Sequence, residues 1–463
     1  PSMPPADKIL GTRYTDFSNM HFYGSLQEFP LEFKLIDRRA FGKGFSLGEF
    51  GAQEAHDARI HGATGLPVQV SVTRFQQVLH YATGLGAAFL CNWDWKDFDE
   101  MVFPWGLIHH STPVAKPWLH TLAQGAEMLK RVQPVYQPPQ VYLLVPDSHR
   151  IGAQFGRIHG ALHQAVKLLL DTAGDFGVLN EEDLKEVPPS AKALFWVLPY
   201  CPTDETFQTV LRWVENGGVL YLSGNIGFDR TRQPTRAERL KLLHLPDVPA
   251  LSPFETAGQT TTAQPIVSTV GRGKVVYVPF PIELSPDARS AQLYRQVLQL
   301  AAVPAVEVSA QRGRVRVFSL PTRDGGRLYT LVRPDEGAEK CRVSIPAHRI
   351  TLSLQPLGCA FVLVNARGEV VAAESEGEMI LNGKTIASAS GHYGLVSQDG
   401  QALTRSRRIL VLPHQQREVQ VYLLPQGQVS VGTLGGVSSA QSAKRTSAAV
   451  SFAIGEVALL TAP

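Results

Sequence analysis

The residue types best suited to chemistry are concentrated between residues 16 and 118. Glu49 lies in the segment FSLGEFG, where a buried strand is predicted to end and a glycine-flanked loop to begin. Because glycine takes little room, a carboxylate between two glycines can project from a strand end into a cleft. His21 and Tyr23 follow a predicted strand that starts near Ser18. For Glu49 taken alone, a turn carboxylate exposed by chance is the competing interpretation.

A pair of tryptophans follows the next apolar run, AAFLC, which is predicted to form a buried strand. Trp93 and Trp95 flank Asp94 in the segment NWDW, and their flat faces could stack on a sugar ring. Side chains alternate along an extended segment, so we expect at most one of the two indoles to face a cleft. Core packing is the alternative for either one. Asp94 or Lys96 could bind ligand hydroxyl groups.

Helical patterns separate these segments. PVQVSVTRFQQVLHYATGLG has apolar residues at Val72, Phe75, Val78 and Leu79, the spacing of one helix face. A second amphipathic helix, KPWLHTLAQGAEMLKRV, follows NWDW, and the proline-rich QPVYQPPQ comes next. Prolines and polar residues favour a boundary there. We therefore predict a first domain over residues 1–134.

Two further domains are predicted after this boundary. Apolar strands such as VYLLVP and ALFWVLP alternate with helices of roughly ten to fifteen residues, which is typical of right-handed βαβ units and a parallel sheet. This predicts a doubly wound α/β domain over 138–302. Short alternating strands separated by Gly, Pro and Asp turns then predict an all-β sandwich region over 303–463. The predicted fold class is α/β multidomain.

The order HFYG, GEFG, NWDW and PWGLIHHSTPVAKPW resembles strands six to eight of the catalytic (β/α)8 barrel of the clan A retaining glycoside hydrolases. The second domain resembles the amidotransferase-like trimerisation domain of family 42 β-galactosidases, and a β domain closes those proteins too. Its segment PYCPTDE lacks the glycines of a nucleophile elbow, so we interpret this domain as an oligomerisation module.

The resemblance implies an activity and roles for single residues. A retaining, exo-acting β-glycosidase is implied, β-galactosidase-like, with β-mannosidase and β-glucosidase also open. Glu49 would be the nucleophile. The residues implied to bind the sugar are His21, Tyr23, Trp93, Asp94 and Trp95. Cofactors and metals are not expected, and a homotrimer is implied.

Retaining hydrolysis needs a second carboxyl about 5 to 5.5 Å from the first. In the clan it is the Glu of an Asn-Glu pair at the end of strand four. The Asn-Glu pair found here, Asn180-Glu181, falls in the second domain, where Glu181 to Asp183 are predicted as charge in the first turn of a helix. We therefore expect an N-terminal barrel segment, as a separate chain or in a precursor. A non-catalytic carbohydrate-binding or scaffold protein, and a transglycosylase or phosphorylase, stay open as alternatives.

Composition excludes several other classes. Lys plus Arg at 44 against Asp plus Glu at 41 is too balanced to predict a nucleic-acid partner. Apolar runs of about 18 residues are missing, so no membrane span is predicted, and the compartment stays open. The four cysteines have neither metal-like nor disulfide-scaffold spacing. His56, His61, His109 and His110 are predicted to be surface or hydrogen-bonded histidines.

Overall fold

A computed structural model describes residues 16–24, 26–37, 39, 42–51, 68–98, 104–146, 155–181, 184–229, 231–250, 264–304, 308–335, 337, 339–424, 427–434, 443–444 and 449–462. The chain forms two compact units. The first unit takes in Pro1–Met20, Glu28–Ser46 and Gln137–Ala305, and the second takes in His21–Gln27, Leu47–Tyr136 and Val306–Pro463. None of the described helices is long and apolar enough to cross a membrane.

Strands and helices alternate in the N-terminal part of the chain. A three-stranded sheet has the order β1-β2-β3, and β2 and β3 are parallel. The elements are β1 (Phe17–Phe22), α1 (Phe29–Leu35), β2 (Gly44–Phe50), α2 (Val68–Leu85), β3 (Leu90–Asn92) and α3 (Pro117–Leu129). The predicted apolar face of α2 is confirmed, because Val72, Phe75, Val78 and Leu79 are all buried.

The third of these strands differs from the sequence expectation. The run AAFLC was expected to form a buried strand, but β3 has three residues, Cys91 is exposed and Phe89 is 48 % exposed. The physical reason is position, since β3 lies at the edge of its sheet, where β2 is its one neighbouring strand among the described residues.

A six-stranded sheet forms the centre of the first unit. Its order is β5-β4-β6-β7-β9-β8, with parallel neighbours except for the antiparallel pair β8 and β9. The elements are β4 (Val141–Val145), α4 (Phe155–Thr172), β5 (Gly177–Asn180), β6 (Ala193–Val197), α5 (Asp204–Glu215), β7 (Val219–Ser223), α6 (Arg236–Leu242), β8 (Ile266–Val270), β9 (Gly273–Val278) and α7 (Ala288–Leu300). Strands β4 to β7 are buried at every residue, which explains their continuous apolar sequences.

Glu181 lies in a 3-10 helical turn, as the predicted helix start implies, but its side chain is not the solvated charge that was expected. Glu181 follows β5, is 5 % exposed and accepts a hydrogen bond from Trp196 Nε1 at 2.7 Å. The carboxylate is therefore a buried partner of an indole rather than a solvent-exposed charge. Glu182 and Asp183 lie outside the described residues.

The C-terminal part of the second unit consists of two antiparallel sheets. One has seven strands in the order β10-β13-β14-β17-β18-β21-β24, and the other has nine in the order β11-β12-β15-β16-β19-β20-β25-β22-β23. The strands are β10 (Ser309–Gln311), β11 (Arg316–Pro321), β12 (Arg327–Val332), β13 (Cys341–Ile345), β14 (Ile350–Leu354), β15 (Cys359–Val364), β16 (Val370–Ser375), β17 (Glu378–Leu381), β18 (Lys384–Ser388), β19 (Tyr393–Ser397), β20 (Arg408–Leu412), β21 (Glu418–Val421), β22 (Gln428–Thr433), β23 (Ala443–Lys444), β24 (Ala449–Ser451) and β25 (Glu456–Thr461).

Alternating burial along these strands gives each sheet an inner face. Leu331 of β12 and Leu352 of β14, which belong to different sheets, are fully buried in one apolar core. Helices α2 and α3 cover the nine-stranded sheet from its other side, with Leu79 and Met128 packed against Phe361. This helical layer also supports the residues that follow β1, β2 and β3.

Candidate active site

Glu49 is held at both carboxylate oxygens. It is the last residue but one of β2, and its side chain is 21 % exposed. The hydroxyl of Tyr23 donates to Glu49 Oε1 at 2.6 Å, and His21 Nδ1 lies 2.5 Å from Oε2. Short hydrogen bonds to an ionised oxygen are among the stronger ones in proteins. The structure thus brings together three of the site residues predicted from the sequence.

Tyr23 is oriented by a tryptophan that sequence reasoning left without a role. Its ring meets the edge of Trp105 with centroids 5.1 Å apart and an angle of 84°. Burial, together with the hydrogen bond to Glu49 and the charge of Glu49, raises the pKa of Tyr23 well above its ordinary value. The phenol therefore stays protonated and continues to donate to the carboxylate.

Arg74 is a second residue that the sequence did not reveal. It lies in α2, where its Nε donates to Gly51 O at 3.1 Å and its Nη1 donates to Gly24 O at 2.9 Å. Its guanidinium also lies 5.8 Å from the centre of the Phe22 ring. One side chain thereby fixes the loops that follow β1 and β2, and with them the relative positions of Tyr23 and Glu49.

The segment after β3 contains the other three predicted sugar-binding residues, Trp93, Asp94 and Trp95. Trp93 and Trp95 are 44 % and 62 % exposed, so both indoles are open to solvent. Asp94 Oδ1 accepts from Trp95 N at 2.5 Å, which commits that oxygen to the loop itself. The Trp93–Asp94 peptide bond is cis. Lys96 forms a parallel bridge with Ile108. Among the described residues, the hydrogen bonds and ion pairs of Glu49 go to Tyr23 and His21 and not to these side chains.

Backbone contacts join this segment to β2. Trp93 N donates to Phe50 O at 2.7 Å. A Cβ at Gly51 would lie 2.4 Å from Trp93 O and 3.3 Å from the Trp105 ring, so only glycine fits there. The second glycine of the GEFG motif therefore allows close approach between the loops that carry Glu49 and Trp93.

A buried ion pair fixes the rest of the loop. Lys116 Nζ lies 2.8 Å from Asp97 Oδ1, and neither side chain is exposed. The same oxygen accepts from Gly106 N at 2.6 Å, and Gly106 O accepts from Trp118 Nε1 at 3.3 Å. This network ties the chain beyond β3 to the start of α3.

The histidines near this loop behave as predicted. His110 Nδ1 lies 3.1 Å from Asp97 O, and His109 Nδ1 lies 4.0 Å from Asp97 Oδ2. Both are polar neighbours of the buried pair. His56 and His61 lie outside the described residues.

Solved glycoside hydrolases share this fold. Neither a protein-family model nor a curated protein sequence matches the chain. Gan42B, a GH42 β-galactosidase from G. stearothermophilus, is similar with a TM-score of 0.57 and 12 % identity, covering 76 % of this chain and 60 % of that one. A β-galactosidase from Bacillus circulans sp. alkalophilus gives 0.55 and 13 %, covering 76 % and 61 %. A cold-adapted β-galactosidase from Rahnella sp. R3 gives 0.52 and 12 %, covering 76 % and 60 %.

These similarities establish the class of fold. The chain has a GH42-like fold over about three quarters of its length, and it spans about 60 % of the length of the galactosidases it matches. At this level of identity the similarity concerns the fold alone. The function must be argued from the residues around Glu49.

Proposed function

We propose that this chain contributes the nucleophile of a retaining, exo-acting β-glycosidase. The observation that carries the proposal is the arrangement at the end of β2, where Tyr23 and His21 each contact one oxygen of Glu49. A carboxylate fixed in this way keeps one orientation and stays partly open to solvent. Both properties suit direct attack on a sugar.

The proposed reaction is a double displacement. Glu49 attacks the anomeric carbon, the bond to the leaving oxygen breaks, and a covalent glycosyl-enzyme ester forms. Water then attacks the same carbon and releases Glu49 as a carboxylate. Tyr23 and His21 hold the attacking group in place throughout, and no step requires a cofactor.

The second carboxyl is proposed to come from a polypeptide segment outside this sequence. It would protonate the leaving oxygen in the first step and activate water in the second. The substrate would be a glycoside with a terminal β-linked galactose, mannose or glucose. Trp93 or Trp95 would support the sugar ring, and Asp94 would bind its hydroxyls. We propose a homotrimer, by analogy with family 42.

A non-catalytic carbohydrate-binding role is the second candidate. The exposure of Trp93 and Trp95, 44 % and 62 %, is the observation that favours it, because solvent-facing indoles can stack on sugars without any chemistry. In that case Glu49 would be only a hydrogen-bond acceptor for a sugar hydroxyl.

Chemical rescue separates these candidates. In the complete protein, Glu49→Ala should lose turnover of an activated aryl β-glycoside and recover it with azide, giving the α-glycosyl azide, because azide replaces the missing nucleophile on the opposite face. Glu127→Ala is the matched control, since Glu127 lies on α3 and pairs with Lys130, the residue that follows this helix. A β-glycosyl azide would instead make Glu49 the acid/base. Unchanged turnover, or sugar binding without turnover in the unaltered protein, would refute the proposal.

A further inference from the structure

A second group of titratable side chains lies in the interior of the second unit. His80 comes from α2, Glu374 from β16, His392 directly precedes β19, and His414 follows β20. Their exposed fractions are 1 %, 0 %, 5 % and 2 %. Charged or polar groups buried this deeply need partners, because an unpaired one is strongly destabilising. The cluster is not used by the reaction proposed above.

His80 has the backbone hydrogen bond that is typical of metal-binding histidines. Its Nδ1 lies 2.7 Å from Gln76 O, a carbonyl that can only accept, so Nδ1 carries a hydrogen. The other nitrogen, Nε2, points at Glu374 Oε2 from 2.7 Å. Histidines that bind metals typically donate the opposite ring N–H to a backbone carbonyl or carboxylate, which fixes the tautomer and the ring orientation.

The remaining atoms of the cluster have no hydrogen-bond partner among the described residues. They are Glu374 Oε1 and both ring nitrogens of His392 and of His414. Each such buried atom costs about 1–3 kcal/mol if it stays unsatisfied. A natural protein is expected to hold few of them, so a group of five at one place requires an explanation.

Their spacing gives that explanation. Glu374 Oε1 lies 3.5 Å from His392 Nε2 and 3.5 Å from His414 Nε2, beyond normal hydrogen-bond lengths. Two ligands that each lie about 2.0–2.1 Å from a tetrahedral zinc ion are about 3.4 Å apart. One ligand atom each of His80, Glu374 and His392 lie within 4.8 Å of one another, and His414 Nε2 adjoins this group through its 3.5 Å distance to Glu374 Oε1. The two 3.5 Å distances therefore fit a shared cation better than a shared proton, whereas His80 Nε2 and Glu374 Oε2 lie at a hydrogen-bond distance.

We propose that His80, Glu374, His392 and His414 form a structural binding site for one divalent transition metal ion of the zinc class. Imidazole nitrogens with one carboxylate favour zinc, cobalt or nickel over magnesium or calcium, which prefer oxygen ligands. His80, Glu374 and His392 would supply three ligands, and His414 would supply the fourth, which leaves no position open for water, as in structural rather than catalytic sites.

Charge supports the same assignment. Glu376 Oε1 lies 3.4 Å from His392 Nδ1. Together the carboxylates of Glu374 and Glu376 supply two negative charges, which balance a divalent ion bound by neutral histidines. The ion would join α2 to β16, β19 and β20. Helix α2 also carries Arg74, so the metal would stabilise the helix that orients the loops around Glu49, whether or not the proposed glycosidase activity is correct.

Elemental analysis of the purified protein tests the site directly. We expect one zinc-class ion per chain that survives dialysis and is lost in His414→Ala and Glu374→Gln. The control is His348→Ala, because His348 bonds Gly368 O and Tyr329 Oη instead and lies in the same β region. Metal content unchanged in the two cluster variants would overturn the assignment.

A second measurement does not depend on the variants folding. The unaltered protein is unfolded with a chelator and refolded with Co²⁺, and we expect the visible absorption of four-coordinate cobalt and a higher thermal midpoint than in the metal-free sample. The contrary result is a folded protein that holds no stoichiometric metal, gives no cobalt spectrum and has a thermal midpoint that zinc does not change. Protons alone would then connect the two glutamates to the histidines, and the proposal would be wrong.

Discussion

Replacing Gly51 with alanine should separate the loops that follow β2 and β3. The new Cβ would lie 2.4 Å from Trp93 O, whereas real Cβ atoms keep at least 3.0 Å, and the Trp105 ring lies 3.3 Å away on another side. The obstacle is backbone, which cannot rotate away as a side chain does. The two loops must therefore move apart, and this movement also strains the 2.7 Å hydrogen bond from Trp93 N to Phe50 O.

The expected magnitude follows from these contacts. Overpacking a close backbone contact destabilises by about 1–3 kcal/mol. We take about 2 kcal/mol, which lowers Tm by about 4–8 °C for a unit of this size. Turnover should fall as well, since Glu49 and Trp93 lie on the two displaced loops.

The control is the same substitution at Gly160. This residue lies inside α4, and a Cβ there meets nothing within 4 Å. Alanine favours a helix interior over glycine by about 0.5–1 kcal/mol. Thermal and urea unfolding should therefore move in opposite directions for the two variants. Equal or higher stability of Gly51→Ala with normal turnover would refute the close approach of the two loops.

Three further outcomes are expected. Tyr23→Phe removes a charge-assisted hydrogen bond and should lower kcat/KM by about tenfold to a hundredfold with Tm unchanged; a normal kcat/KM would show that the phenol does not hold the carboxylate. Lys116→Met leaves the buried Asp97 without its cation and should destabilise by about 3–5 kcal/mol in urea titrations, whereas a loss below about 1 kcal/mol would contradict the buried pair. With a thiol reagent at about pH 8, the exposed Cys91 should react fast. Cys201 should react slowly, because burial raises its pKa to about 11 and keeps the thiol protonated. Fast reaction of Cys201 in the folded chain would contradict its burial.

Local sequence patterns predicted the elements better than the contacts between them. The helix face at Val72 and Phe75 and the buried strand Val141–Val145 were predicted from the order of apolar and polar residues, because burial within one element depends on residues that are close in sequence. The sequence of one strand does not indicate whether it lies at the edge of a sheet, and for that reason β3 was expected to be more buried than it is. The burial of Glu181 was not predicted because its hydrogen-bond partner, Trp196, lies 15 residues further along the chain.

Only the residues of the candidate site that lie in short sequence motifs could be predicted. Short motifs and their resemblance to a known barrel pointed to Glu49, His21 and Tyr23. Arg74 was missed because an arginine in an amphipathic helix pattern normally faces solvent, and its carbonyl acceptors lie 23 and 50 residues earlier in the chain. The contact is a product of tertiary packing.

The histidine cluster shows the same limit more strongly. His80 and Glu374 are 294 residues apart in sequence, and metal-site recognition from sequence depends on short, fixed spacings. The sequence therefore predicted no metal. The one local signal is Glu374 itself, a carboxylate that directly follows four apolar residues in the segment VVAAES that forms β16.

Trapping the glycosyl-enzyme tests the central claim most directly. The complete protein is incubated with 2-deoxy-2-fluoro β-glycosides carrying a good leaving group, in the galactose, mannose and glucose series, and digested for mass spectrometry. The account predicts inactivation with one sugar attached to the peptide that contains Glu49, and protection by a competing substrate analogue. A sugar attached to a different carboxylate, or continued hydrolysis of an ordinary substrate with Glu49 never labelled, would contradict it.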